Sequence, residues 1–250
     1  SSLEAKCTIP QIEIAVGDEQ VALIFRHLQP LSPPDQDLLC HFAQQHQLTI
    51  YLQPKGPDSI HVLYPHPAKP LHYHLPAFNL KFEFQPQQFI QVNADINQKM
   101  IQQAIHLLNL KPTDRVLDLF CGIGNFSLPM AQHCQSVTGV EGELSAVNQA
   151  KHNAQLNQID NCHFYCADLA EDTHAHSYLQ NKFDKVLLDP ARCGADNILN
   201  LIALWQPQRI VYVSCNPATF ARDAAIIYKY GYHLANVGIM DMFPQTKHVE

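Results

Sequence analysis

Arg115-Val116-Leu117-Asp118-Leu119-Phe120-Cys121-Gly122-Ile123-Gly124-Asn125-Phe126 is the stretch that decides the fold. An apolar run that stops at a Gly-x-Gly turn reads as a buried strand passing into a loop where backbone can approach a ligand closely. The same rhythm recurs downstream. Ser136 to Val140 is a second strand, ending at Glu141, and Leu144 to Asn157 is a helix. Cys162 to Cys166 is a third strand, ending near Asp168. Phe183 to Leu188 is a fourth, ending at Asp189-Pro190, and Arg209 to Val213 is a fifth, ending at Cys215. A helix over Asn93 to Leu110 precedes them all. Strands alternating with helices predict an α/β fold of Rossmann-like form, with a doubly wound, mostly parallel sheet and right-handed crossovers.

Upstream the texture changes. The first 85 residues hold ten of the seventeen prolines, together with short alternating segments such as Gln11 to Val16 and Val21 to Phe25. Gly17-Asp18 between those segments reads as a hairpin turn. Asp35 to Gln47 carries a helical stripe started by Ser32-Pro33-Pro34. Thr49 to Leu52, Ile60 to Tyr64, Leu71 to Leu75 and Leu80 to Phe84 follow as short strands. We therefore expect a small α+β module over 1–88 and the Rossmann-like domain over 89–250. His72 and His74 share one strand face, but with no third ligand nearby a metal site is not expected.

Composition narrows the function. Sixteen Lys+Arg stand against 23 Asp+Glu, a net charge of −7, which argues against strong autonomous binding to nucleic acid phosphates. A local basic groove remains compatible with that balance, and the histidines add charge only below about pH 6.5. No apolar run approaches the roughly 18 residues of a membrane span, and no signal peptide opens the chain. Eight cysteines without a Cys-x-x-Cys pair suggest neither a zinc site nor a disulfide framework, which fits a reducing, cytoplasmic setting. The absent initiator Met and the stop at His248-Val249-Glu250 lead us to expect an excised fragment.

Five successive strands end in a polar or reactive residue: Asp118, Glu141, Asp168, Asp189 and Cys215. In a parallel sheet those ends share one edge, where ligands of such folds gather. One acid after a strand commonly caps the next helix, but five in order are harder to assign to capping. The Gly122-Ile123-Gly124 turn lacks the third glycine of the dinucleotide fingerprint, since Phe126 and Ser127 follow. Glu141 lies 19 residues beyond Gly122, where a carboxylate can bind both ribose hydroxyls. That combination suits a nucleoside ligand without phosphates, such as S-adenosylmethionine, with Asp168 near the adenine. Cys215 is placed for nucleophilic chemistry if its pKa is lowered, although lone cysteines are often small buried hydrophobes.

Four segments, Phe89-Ile90-Gln91-Val92-Asn93, Val116 to Phe126, Leu187 to Arg192 with Gly194, and Ser214 to Asp223, add a resemblance, supported by the closing run Asp241 to Glu250. With them the chain resembles the catalytic part of the RNA 5-methyluridine methyltransferases. The Asp-Pro-Ala-Arg and Cys-Asn-Pro-Ala-Thr forms resemble members acting on 23S ribosomal RNA more than the transfer-RNA relatives, where Asp-Pro-Pro-Arg is usual. The resemblance implies S-adenosylmethionine-dependent methylation of uridine carbon 5 in 23S ribosomal RNA through a covalent Cys–uracil intermediate. It implies Cys215 as nucleophile and Glu250 as the base that removes the carbon 5 proton. Gln91, Phe120, Asn125, Glu141, Asp168 and Asp189 would line the cofactor site, with Asp189 also facing the uracil edge.

A ribosomal RNA substrate, a monomer and a cytoplasmic location complete the expectation. The family usually also carries an RNA-binding TRAM domain, cysteines holding a [4Fe–4S] cluster and a strand after the base, none of which this chain contains. An RNA cytosine-5-methyltransferase is the alternative enzyme. It would place a second cysteine beside the strand-four proline, whereas Cys193 lies three residues beyond Pro190. Amino-group methylation fits less well, because Asp189-Pro190-Ala191-Arg192 lacks the aromatic that reaction needs and Cys215 would have no role. A catalytically inactive RNA-binding module is disfavoured by the acidic charge.

Overall fold

Residues 3–169, 177–246 and 249–250 are described in the structure, a computed structural model. Lys247 and His248 of the closing run therefore lie outside the described residues. The chain divides into two compact units, one of residues up to Leu75 with Lys81–Phe89, the other of Pro76–Leu80 with Ile90–Glu250.

The N-terminal part runs β1 (Gln11–Val16), β2 (Val21–Arg26), α1 (Pro33–His46), β3 (Thr49–Gln53), β4 (His61–Tyr64), β5 (Leu71–Leu75) and β6 (Leu80–Phe84). Strands β1 to β4 form one sheet in chain order, and β5 pairs with β6. The Gly17-Asp18 hairpin forms as expected, with β1 antiparallel to β2. Ser32 starts α1 by accepting the Asp35 amide at 3.3 Å, with a proline in the first turn. The buried Asp35 carboxylate in turn accepts the amides of Glu4 and Ala5 at 2.7 and 3.0 Å. Leu39 and Ala43 of α1 pack on Ile50 and Leu52, and β3 is buried along its whole length. The alternation in β1 suggests one buried face, yet Ile12 and Ile14 are 50% and 67% exposed, because that face of the edge strand stays open. The rings of His72 and His74 meet edge-on at 5.3 Å, and His74 Nδ1 lies 2.7 Å from Asp18.

The second unit contains α2 (Ala94–Leu108), β7 (Arg115–Leu119), α3 (Ser127–Ala131), β8 (Ser136–Glu141) and α4 (Leu144–Leu156). It continues with β9 (Cys162–Cys166), β10 (Lys185–Leu188), α5 (Ile202–Trp205), β11 (Arg209–Tyr212) and α6 (Pro217–Lys229). Its five strands lie in the order β11-β10-β7-β8-β9, and every pairing is parallel. The chain starts in the middle at β7, steps outward to β8 and β9, then returns to the other side of β7 through β10. That reversal is the topological switch point at which such sheets open a crevice. Leu117, Leu119, Val140, Val186 and Leu188 are fully buried, as two-sided coverage of a parallel sheet requires. Trp205 joins them with its indole N–H satisfied by the Leu179 carbonyl at 2.8 Å.

Helices α3, α5 and α6 are additions to the elements read from the sequence. The signature of α6 was present, with Asn216 accepting the Ala218 amide at 3.1 Å and Pro217 in the first turn. Among the described residues no helix is long and apolar enough to cross a membrane.

Candidate active site

Backbone hydrogen bonds continue the parallel ladder beyond the strands and keep the loop starts level. Val213 N donates to Leu188 O at 2.8 Å, Asp189 N to Leu119 O at 3.3 Å, Phe120 N to Val140 O at 2.9 Å, and Ala167 N to Glu141 O at 3.0 Å. The sheet order therefore sets Cys215, Asp189, Phe120, Glu141 and Asp168 side by side along one edge. Asp118 is a correction to the expected row. It sits one residue inside β7, fully buried, and accepts the Ser127 hydroxyl at 2.5 Å, while its other oxygen has no hydrogen-bond partner. Burial, reinforced by the negative charge of Glu141, pushes its carboxyl up to about 7.

The glycine turn adopts the geometry its sequence suggests. Phe120, Gly122 and Gly124 all have positive φ, at 64°, 53° and 94°, so the chain folds back sharply beyond β7. A side chain built on Gly122 would meet nothing within 4 Å, so the turn presents bare backbone beside open space. Glu141 holds this turn: one carboxylate oxygen accepts Gly122 N at 3.0 Å and the other accepts Glu143 N at 3.0 Å. Each oxygen still has acceptor capacity for a ligand hydroxyl. Asn125 exchanges two side-chain hydrogen bonds with Asn97 of α2, at 2.8 and 3.0 Å, so its amide is engaged in fixing α2 to the turn. Gln91 presents a buried amide oxygen without a partner, and Asp168 is exposed beyond β9. A nucleoside fits the residues at this edge, since an open glycine turn and a backbone-braced carboxylate lie side by side there, and Gln91 supplies a further buried acceptor without a partner.

Cys215 follows β11 in a turn tied by Ser214. The Asn216 amide donates to Ser214 Oγ at 3.2 Å, and that hydroxyl donates to the Asn216 carbonyl at 3.1 Å. The thiol is half-buried and feels Glu250, Arg192 and Asp189. Burial, then the negative charges of Glu250 and Asp189, push it above its ordinary value, and Arg192 opposes them. Desolvation and two carboxylates thus outweigh one guanidinium at this sulfur. Asp189 is pushed up to about 7 by burial first, then by Glu250 and Asp118. Glu250 is held above the usual carboxylate range by burial, and its backbone exchanges two hydrogen bonds with Met240, at 2.8 and 3.0 Å.

Cys215, Glu250 and Asp189 are thereby gathered at one end of the edge, and Glu141, Phe120 and the glycine turn lie further along it. The sequence reading gave no part to Arg192, although the quoted motif contains it. Its approach to Cys215 depends on the loop after β10, whose shape no periodicity reveals.

This arrangement defines a Rossmann-like methyltransferase fold. Comparison with known proteins agrees. A family model described as tRNA (Uracil-5-)-methyltransferase matches residues 74–250. The chain belongs to that family. It is 51% identical over 249 residues to the 23S rRNA (uracil(1939)-C(5))-methyltransferase RlmD of Xanthomonas campestris pv. campestris (strain 8004), covering 99% of this chain and 56% of the relative. The RlmD of Legionella pneumophila (strain Lens) is 51% identical over 251 residues, covering 100% of this chain and 56% of that protein. The chain thus spans about half the length of the curated relatives it matches.

Among solved structures, a tRNA (uracil-54, C5)-methyltransferase of Pyrococcus abyssi, in complex with S-adenosyl-L-homocysteine, aligns with a TM-score of 0.72 at 24% identity. That alignment covers 94% of this chain and 57% of the other. Pyrococcus horikoshii TYW2, in complex with MeSAdo, aligns with a TM-score of 0.60 at 18% identity, over 98% and 90% of the two chains. At those identities the two structures speak for the fold.

Proposed function

We propose that this chain is the catalytic part of an S-adenosylmethionine-dependent enzyme that methylates carbon 5 of a uridine in 23S ribosomal RNA through a covalent cysteine adduct. The observation that carries the reading is the approach of Cys215, Glu250 and Asp189 at the end of the sheet edge that also bears the glycine turn and Glu141. The 51% identity to proteins named for that reaction supports it.

Carbon 5 of uracil is a weak nucleophile toward a sulfonium methyl group, which is the chemistry the bound cofactor supplies. Cys215 changes that by adding its sulfur to carbon 6, which leaves an enolate whose electron density lies on carbon 5. Once carbon 5 carries the methyl group, Glu250 takes its remaining proton. The electron pair of that C–H bond then reforms the 5,6 double bond, and the C–S bond breaks to return the thiolate. The raised thiol of Cys215 means that it must first give up its proton to solvent before the thiolate adds, which leaves the Glu250 carboxylate free for the carbon 5 proton. Asp189, pushed up to about 7, is well suited to share a proton with the polar edge of uracil. Glu141 and Gln91 would hold the nucleoside of the cofactor, Phe120 and Asn125 would shape its turn, and Asp168 would lie by the adenine. Reaching this site requires the uridine to leave any base stack, at a cost of a few kcal/mol.

Ribosomal RNA tritiated at uracil carbon 5 tests the reading directly. Incubated with the protein and S-adenosylmethionine, it should release tritium to water in step with methyl incorporation. Methyl incorporation into cytidine with no release from uridine would instead identify the cytosine-5 alternative.

A further inference from the structure

Asp223 lies in α6, has no part in the reaction described above, and is fully buried. Its Oδ2 accepts the Ala195 amide at 2.6 Å and the Tyr212 hydroxyl at 2.6 Å, and its Oδ1 accepts Arg222 Nε at 2.8 Å. Arg222 extends the grip, donating to the Cys193 carbonyl at 2.7 Å and approaching Asp196 at 3.3 Å. Two side chains at the start of α6 act on the same loop: Asn216 Nδ2 donates to the Arg192 carbonyl at 3.0 Å and Thr219 Oγ1 to the same atom at 3.2 Å. Gly194 allows this closeness. Its φ is +81°, and a Cβ there would lie 2.4 Å from Arg222 Nη2 and 2.6 Å from Asp223 Oδ2. The bonds to Ala195, Cys193 and Arg192 join the loop after β10 to α6, which begins two residues beyond Cys215, and the Tyr212 hydroxyl ties the end of β11 to the same carboxylate.

We propose that Asp223 is a positioning residue, which clamps the Arg192-bearing loop onto α6 and so holds the Arg192 guanidinium toward the Cys215 thiol. A buried carboxylate that accepts hydrogen bonds from a backbone amide, a tyrosine and an arginine is costly to strand, so the loop has one strongly favoured seat. Arg192 is the cation that opposes Glu250 and Asp189 at the sulfur, and its effect depends on distance. The inference deepens the proposed reaction and rests on it for its functional meaning.

Alkylation of Cys215 by iodoacetamide, followed by mass spectrometry of the peptide across pH 6 to 10, reads the thiolate itself. Asp223→Asn should leave S-adenosylhomocysteine affinity unchanged, move the alkylation midpoint up by about one unit and slow labelling at fixed neutral pH on the order of tenfold. Tyr212→Phe and Thr219→Val each remove one tether while keeping the buried acid, and should shift the midpoint in the same direction by less. Arg192→Gln should reproduce the full shift, and adding Asp223→Asn to it should change nothing more. An unshifted midpoint in a folded Asp223→Asn protein overturns the proposal. If that variant unfolds, unshifted midpoints in both Tyr212→Phe and Thr219→Val overturn it equally. Alkylation reports the thiol whether or not Cys215 attacks uracil, so failure of the clamp and failure of the covalent reading are separable.

Discussion

Replacing Cys215 with alanine removes one sulfur from a half-buried turn whose backbone is fixed by Ser214 and Asn216. The loss in packing is small, about 1 kcal/mol or less by the usual cost of exposing a methylene-sized group. Methylation should nevertheless disappear, with the thermal midpoint and S-adenosylhomocysteine affinity nearly unchanged; calorimetry beside an activity assay separates this from a core role, which would give a destabilised but active protein. Glu141→Ala removes both an acceptor for ribose hydroxyls and the brace on Gly122. Calorimetric titration should show S-adenosylhomocysteine binding weakened by about 2–3 kcal/mol. Unchanged affinity would remove Glu141 from the cofactor site. At this scale the sequence was informative about which residues carry reactive groups, because strand ends are marked by where apolar runs stop. It was silent about protonation. The raised thiol of Cys215 and the raised carboxyl of Asp189 arise first from burial and then from the charge of Glu250, which lies far away along the chain, and neither can be read from local sequence.

Gly194→Ala places a methyl group against Arg222 and Asp223 at a positive φ, a backbone conformation costing about 1–3 kcal/mol for other residues. Thermal unfolding should show a loss of at least that size, and relief of the contact by Arg222→Ala should recover only part of it, since the φ penalty remains. The parallel strands of the second unit were legible within a residue or two, since each is a short apolar run bounded by polar residues. Helix α6 was written in Asn216-Pro217, a cap and a first-turn proline, but its apolar positions are only partly buried and give a weak stripe. The hub on Asp223 could not be read, because it joins a strand end, a glycine loop and a helix whose mutual placement only the sheet order fixes.

The whole molecule carries a net charge of −7 and gathers several of its acids at one sheet edge. Asp118 and Asp189 are both pushed up to about 7 from an ordinary 3.8. Between those values these two carboxyls bind more protons in the folded protein than in the unfolded chain, so their contribution to stability is full on the acid side and is lost as pH rises toward neutrality. Removing one of these groups by Asp118→Asn should flatten the decline of the thermal midpoint between pH 5 and 8; an identical slope in the variant would show that Asp118 titrates normally. The reaction itself, which needs the uridine, the thiol and the base together, is tested most directly at Glu250. If Cys215 attacks and Glu250 is the base, Glu250→Gln should permit addition and methyl transfer, then stall before elimination. A covalent protein–RNA adduct should then accumulate and survive denaturing electrophoresis with labelled ribosomal RNA, whereas a variant that turns over normally, with no trapped adduct, would contradict the account.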